Sequence, residues 1–379
     1  MDFNLSEEQR LLQNSIDRFL ADNYGFMERG KLVYSERGYS DLHWQLFADM
    51  GWLGLPFEPD YGGYGGSAVD VAIVMESLGS ALVLEPYLST VVIGGGLIAN
   101  AGREDQKNTL IPQIIAGDLT LAFAYLEPQS RFNPADIETR AVYSDEGFIL
   151  NGSKSVVYQG RSADKIVVSA RSHGASMAQE GISLFLLDQG MPGVSRKDFR
   201  TLDGQWGSDF QFTDVKLDTS ALLGAEGQSF SAIQSTLACV ISAVCAEAVG
   251  AMASALSITK EYMQVREQFG APIGSFQALQ HRWVDMHMEA EMAKSMSDVL
   301  AMRLRDGDGD SSATVAAAKI RVGKAALAVG QGAIQLHGGI GMTDECSIGH
   351  YYKRLLMIEL LFGTQDYHAS RYEQLQTTA

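Results

Sequence analysis

An α+β fold in three parts is predicted: an N-terminal helical domain, a middle antiparallel β-barrel and a C-terminal four-helix bundle. Three observations carry that expectation. The apolar pattern changes from a helical period to short alternating runs near residue 120. It returns to the helical period near residue 227. Beyond that point Gln228–Gln264 holds no proline and one glycine, Gly250, so a helix of roughly ten turns is expected there.

The first domain, residues 1–119, opens on a capping box. Ser6 stands three residues before Gln9, and Leu12, Ile16, Phe19 and Leu20 follow at helical spacing. Further helices are predicted over Asp41–Met50, Ser67–Leu78 and Gln106–Ala116, with the glycine-rich turn Tyr61–Gly66 between them. Gly94-Gly95-Gly96 follows no strand of the kind that a dinucleotide-binding loop requires, so it is not assigned that role.

The middle domain, residues 120–226, is expected to hold short strands at Thr120–Tyr125, Ala141–Tyr143, Phe148–Leu150, Ser155–Tyr158, Lys165–Ala170 and Ile182–Leu187. Turn signals separate them, among them Asp145-Glu146-Gly147 and Asn151-Gly152. Val194, Phe210–Phe212 and Val215–Leu217 continue the pattern. Short strands at this spacing suggest a small antiparallel barrel or sandwich.

The last domain, residues 227–379, continues with helices over Phe276–Arg305, Ser312–Gln335 and Ile348–Gln374. Long helices joined by short turns predict an up-and-down bundle. The Ala- and Gly-rich third helix suits close packing. Asp306-Gly307-Asp308-Gly309-Asp310 resembles the start of a calcium loop, but Ala317 stands where the closing Glu should be, so no metal site is assigned.

Composition narrows the function. A formal charge of −17 argues against nucleic acid, whose phosphates demand a dense basic surface. A few local arginines on an acidic chain still suffice for a small anionic ligand. Apolar stretches such as Val91–Ala101 fall short of the ~20 residues that span a bilayer, so no membrane span is expected. Met1–Gln9 lacks a basic start and an apolar core of the secretory type, which leaves the cytoplasm as the expected location. Of the three cysteines, Cys239 and Cys245 lie in an apolar helical run and are expected to be small core residues.

Three stretches then carry a family resemblance. Arg266-Glu267-Gln268-Phe269-Gly270-Ala271-Pro272-Ile273-Gly274-Ser275-Phe276-Gln277 links the first two bundle helices. Gln335-Leu336-His337-Gly338-Gly339-Ile340-Gly341-Met342-Thr343 follows the third, and Phe362-Gly363-Thr364 lies in the fourth. With Pro59-Asp60-Tyr61-Gly62-Gly63 and Glu127-Pro128, they resemble the acyl-CoA dehydrogenase family over essentially the whole chain. Within the family the nearest likeness is to pimeloyl-CoA dehydrogenase small subunits and to heteromeric subunits of steroid degradation. The resemblance implies FAD as cofactor, an acyl-CoA thioester as substrate, a tetramer and an electron-transfer flavoprotein as electron acceptor. It also implies that Arg266, Gln268, Phe269, Gln277, Gln335, Gly338, Gly339 and Thr364 serve the adenosine and pyrophosphate part of a neighbouring subunit's FAD.

Desaturating an acyl-CoA requires a hydride acceptor, a polarised thioester carbonyl and a carboxylate that takes the α-proton. In the family that carboxylate is commonly the residue before the Gly-Thr pair, and here the position is Phe362. Some members place it on the first bundle helix, where this chain reads Ala238-Cys239-Val240-Ile241-Ser242. Neither recognised base is present. The flavin-side loop also departs from the family pattern, with Leu126 in place of a Thr, the bulky pair Arg131-Phe132, and Val156-Val157-Tyr158 where an aromatic-Ile-Thr stretch is usual.

The asymmetry implies a subunit of an FAD-dependent acyl-CoA dehydrogenase that lacks its own base and completes the FAD site of a partner in a heterotetramer. Two alternatives stay open. One is a self-sufficient homotetramer using Glu247, in an apolar run where burial would raise its pKa, or Asp366, one turn past Phe362. The other is a non-enzymatic CoA-binding or assembly subunit.

Overall fold

The computed structural model describes residues 4–307 and 311–377. The chain forms two compact units. One gathers residues 1–31, 67–83 and 241–379, and the other gathers residues 32–66 and 84–240.

The second unit holds an eight-stranded sheet. Its strands are β1 Leu121–Ala124, β2 Arg140–Ser144, β3 Gly147–Tyr158, β4 Lys165–Arg171, β5 Ile182–Asp188, β6 Val194–Arg200, β7 Trp206–Leu217 and β8 Leu222–Leu223. The order is β6-β7-β3-β2-β4-β5-β8, with β1 paired to β4 off that path. Ala141, Phe148, Leu150, Val157, Ile166, Val168, Phe185, Phe210, Phe212 and Val215 form its core.

This corrects the predicted barrel. β6 and β8 sit at opposite ends of the order and do not pair with each other, so the sheet stays open. Nor is the sheet wholly antiparallel, because β1 runs parallel to β4 and β2 meets β4 through one parallel pair, Arg140 with Arg171. The physical reason lies at the ends. β6 presents Ser195, Arg196 and Lys197 to solvent, and charged side chains blunt an edge against further pairing. β8 has only two residues to offer.

A second correction concerns Asn151-Gly152, which is no turn. The two runs on either side form one strand, β3, whose pairing with β7 shifts register between Leu150 and Gly152. Gly152 takes φ +146°, and a Cβ there would lie 2.5 Å from Thr139 Oγ1, so the glycine bulges the strand and lets it continue.

The helices before the sheet are α1 Glu7–Asn23, α2 Phe26–Val33, α3 Asp41–Asp49, α4 Ala68–Ser80, α5 Gly96–Ala101 and α6 Glu104–Ile115. The predicted capping box is present, with Ser6 Oγ accepting from the Gln9 amide and Gln9 accepting from the Ser6 amide. Gly94–Gly96 lies inside helical structure that runs from Leu88 to Ala101.

After the sheet come α7 Phe230–Val265, α8 Gln277–Asp306, α9 Ser312–His337, α10 Ser347–Leu360 and α11 Gln365–Thr377. α7 is long and apolar enough to cross a membrane by length and composition alone, but 78% of its most apolar window is buried within the protein, as in a core helix. Within the first unit, α4 and α7 touch backbone to backbone. A Cβ on Gly79 would fall 2.1 Å from the Glu247 carbonyl oxygen, and one on Gly250 would fall 1.8 Å from that of Glu76.

α9 packs against α8, α10 and α11. Its small residues permit that approach, since a Cβ on Gly330 would meet Tyr352 at 2.7 Å and one on Gly332 would meet Met286 Sδ at 2.5 Å. The expected single fourth helix is broken into α10 and α11. Phe362 and Gly363 adopt φ +59° and +112°, outside the helical region, and stop it there. Of the calcium-like stretch, residues 308–310 lie outside the described residues. Cys245 is a core residue as expected, whereas Cys239 is exposed.

Candidate functional site

The first motif folds into a two-stranded hairpin in the first unit. β9 Glu267–Gln268 pairs antiparallel with β10 Ala271–Pro272. Phe269 and Gly270 form the tip, both in the left-handed region at φ +54° and +79°. Two such residues between paired strands make the tight turn whose twist matches a hairpin. Phe269 is 95% exposed and meets Phe276 edge to face at 6.1 Å. Arg266, Gln268 and Gln277 are exposed too, and the Arg266 guanidinium makes no ion pair among the described residues.

The second motif is joined to the stem of the first. Tyr262, one turn before Arg266, stacks on His337 with ring centroids 4.4 Å apart, and its hydroxyl donates to the His337 carbonyl at 3.3 Å. Burial pushes the His337 imidazole below its ordinary pKa, and its Nδ1 lies 2.9 Å from the Ala333 carbonyl. Gln335 in the last turn of α9 is exposed, and the chain then turns at Gly338 with φ +65°. A Cβ on Gly338 or Gly339 would meet nothing within 4 Å. Nothing in this chain's own packing therefore demands glycine at 339. Thr364 caps α11, its Oγ1 accepting from the Tyr367 amide at 3.3 Å.

These residues fit the adenosine and pyrophosphate part of FAD. A guanidinium without an internal counter-ion suits charge-assisted bonds to phosphate oxygens. The open glycine turn lets an anion come close to the backbone without side-chain interference. A phenyl ring left almost wholly in water gains about 1.5–3 kcal/mol once a neighbour covers it.

The base position differs. Phe362, half-buried, lies in the four-residue link between α10 and α11, so no carboxylate stands there. Glu247 is buried on α7 and committed elsewhere. Arg354 grips it with Nε–Oε1 at 2.6 Å and a second bond from Nη2 to Oε2 at 2.8 Å. Asp366 is exposed in the first turn of α11.

In the second unit, the Glu127-Pro128 loop is built around a buried ion pair. The Glu127 carboxylate accepts from Lys154 Nζ at 2.7 Å, from the Glu138 amide at 2.7 Å and from the Thr139 amide at 3.1 Å. Complete burial pushes the Lys154 amine down to about 8 despite that partner. Arg131 is exposed and Phe132 half-buried, while the Leu126 carbonyl accepts from the Ser155 amide. Val156 is 47% exposed at φ +53°, and its amide is held by Asp209. Tyr158 donates to Gln205 Oε1 at 2.5 Å.

Sequence reasoning passed over Lys154, and also Lys319 and His368, which bind the link around Phe362. Lys319 did leave a signal, as the one cation in the apolar spacing Val315, Ala316, Lys319, Val322 of α9. Nothing comparable marked His368.

Comparison with known proteins covers the whole chain. Residues 6–118, 122–215 and 227–374 match the models for the N-terminal, middle and C-terminal domains of acyl-CoA dehydrogenases. Acyl-CoA dehydrogenase FadE12 of Mycobacterium tuberculosis is 31% identical over 349 residues, covering 90% of this chain and 89% of that one. Among solved structures, the Tcur3481-Tcur3483 steroid ACAD variant superposes with a TM-score of 0.88 at 26% identity, over 98% of both chains. PigA in complex with FAD superposes with a TM-score of 0.91 at 25% identity, over 100% of both.

Proposed function

The chain belongs to the acyl-CoA dehydrogenase family, whose fold carries FAD, and from that membership we propose that it is the base-lacking subunit of a heteromeric enzyme. One observation carries the reading. The link that should present a catalytic carboxylate presents Phe362, while Arg266, Phe269, Gln335 and the Gly338-Gly339 turn are exposed.

In this reading the chain completes its partner's FAD site. Arg266 neutralises pyrophosphate charge, the open Gly338-Gly339 turn leaves room for the cofactor to approach, and Phe269 covers apolar surface of the neighbouring subunit. Gln268, Gln277, Gln335 and Thr364 supply further polar contacts. Bound FAD supplies the two-electron acceptor for α,β-desaturation. The partner supplies the base, and a tetramer of two plus two holds two FAD. The likeness to a steroid dehydrogenase named for two gene products supports this division. Substrates within reach of the reading are dicarboxylyl-, medium-chain and steroid-derived acyl-CoA thioesters. An electron-transfer flavoprotein is the acceptor, and the cytoplasm is the setting.

The self-sufficient alternative loses force on geometry. Glu247 is engaged by Arg354 on both oxygens, and Asp366 is exposed in the first turn of α11.

Flavin per polypeptide tests the proposal, read from the visible spectrum of the chain purified alone and then co-expressed with its genomic neighbour. Little flavin alone, with one FAD per pair of chains after co-expression, is expected. One FAD per chain in the isolated protein, bleached by an acyl-CoA, would overturn it.

A further inference from the structure

The link that carries Phe362 is fixed from behind by side chains of two other segments. Past Leu360 the carbonyls at the end of α10 have no helical partners, as at any helix end. Lys319, on α9 and 1% exposed, donates from Nζ to the carbonyls of Glu359 at 2.8 Å and Gly363 at 2.7 Å. His368, on α11 and fully buried, lies with Nε2 3.0 Å from the Phe362 carbonyl. A carbonyl can only accept, so Nε2 carries the proton. The Glu359 carboxylate adds a bond from the Gln365 amide at 3.0 Å.

These bonds hold an unfavourable backbone. Phe362 stands at φ +59° and Gly363 at φ +112°. The left-handed region is disfavoured for a non-glycine residue, and a phenyl ring has no local hydrogen bond to offset it. Close packing adds to the constraint, since a Cβ on Gly363 would lie 2.6 Å from both His368 Nε2 and Tyr367 Cδ1. Bonds and close packing from the surrounding segments thus constrain the backbone at residues 362 and 363.

We propose that Lys319 and His368 are positioning residues that hold position 362 in its left-handed conformation whichever side chain stands there, so that this chain keeps the local backbone frame for a catalytic carboxylate at that position without the carboxylate itself. The inference rests on the proposed function for the word catalytic; the frame itself is testable without it. Electrostatics agree with the geometry. Burial pushes the His368 imidazole down to about 4 and the Lys319 amine down to about 8, so the imidazole stays neutral at pH 7 with Nε2–H as its donor.

Amide hydrogen exchange on the full-length protein, with and without its co-expressed partner, tests it. Wild type and Phe362→Glu are expected to protect residues 361–365 equally. Lys319→Met and His368→Phe should each raise exchange there tenfold or more, while mid-helix amides of α9 and α10 stay slow. His368→Gln, which keeps an N–H donor, should restore protection where His368→Phe loses it. Should Lys319→Met fail to fold, the His368 pair decides the matter. Unchanged exchange in His368→Phe, no rescue by His368→Gln, or loosening by Phe362→Glu would each overturn the proposal. Flavin stoichiometry is untouched by any of these outcomes, so the shared-site reading stands or falls separately.

Discussion

Glu247 and Arg354 face each other as a buried, two-pronged ion pair, 2.6 Å from Nε to Oε1 and 2.8 Å from Nη2 to Oε2. The pair ties α7 to α10 beside the point where Gly79 and Gly250 let α4 and α7 touch. Removing one partner strands the other charge in the interior, which costs about 3–5 kcal/mol. Glu247→Gln should therefore lower the denaturation midpoint markedly. The double variant Glu247→Leu with Arg354→Met should recover much of the loss. Denaturant melts of the three proteins check this, and a near-neutral Glu247→Gln would contradict a structural role.

His368 predicts an acid sensitivity. Its folded pKa is depressed from 6.5 to about 4, so the folded state prefers the neutral ring. The unfolded chain binds the proton more readily between those values, and stability must rise with pH across that window. The contribution is complete above about pH 6.5 and is lost as pH falls through about 4, amounting to about 3 kcal/mol. His368→Gln should flatten the stability profile between pH 6.5 and 4 relative to wild type, as read from urea midpoints at successive pH values.

Lys154 and Glu127 form a second buried pair, with side chains 0% and 2% exposed. Lys154→Met should destabilise the sheet-bearing unit by about 3–5 kcal/mol, because the Glu127 carboxylate would keep only its amide donors. Protease resistance of residues 121–223 provides the measurement. Equal resistance in variant and wild type would count against the pair's importance.

Gly339→Ala separates packing from ligand binding. A Cβ at this position meets nothing in the chain, so the melting temperature of the isolated subunit should stay within about 1 °C of wild type. Flavin retained by the co-expressed complex should fall, as it should for Arg266→Ala. Full flavin content in both variants would remove these residues from the cofactor site.

Much of the architecture was legible because local chemistry wrote it. The Ser6–Gln9 capping box and the proline-free run of α7 are set by nearest neighbours along the chain. The open sheet was not legible. Alternation tells which face of a strand is buried, but whether β6 meets β8 depends on partners far apart in sequence. Asn151-Gly152 misled for a similar reason, since the same pair can turn a chain or bulge a strand, and Thr139 across the sheet decides which.

The sequence by itself determined family, cofactor class and the missing carboxylate, because a Phe at position 362 is a fact of covalent chemistry that no folding can alter. Only the tertiary structure decided what the remaining charged groups do. Glu247 could be judged a base or a structural anchor until Arg354, more than a hundred residues away, was seen to occupy both its oxygens. Lys319 and His368 became meaningful only when folding brought them behind the Phe362 link. Hydrogen bonds and ion pairs act over a few ångströms, and which groups come within that range is settled by packing.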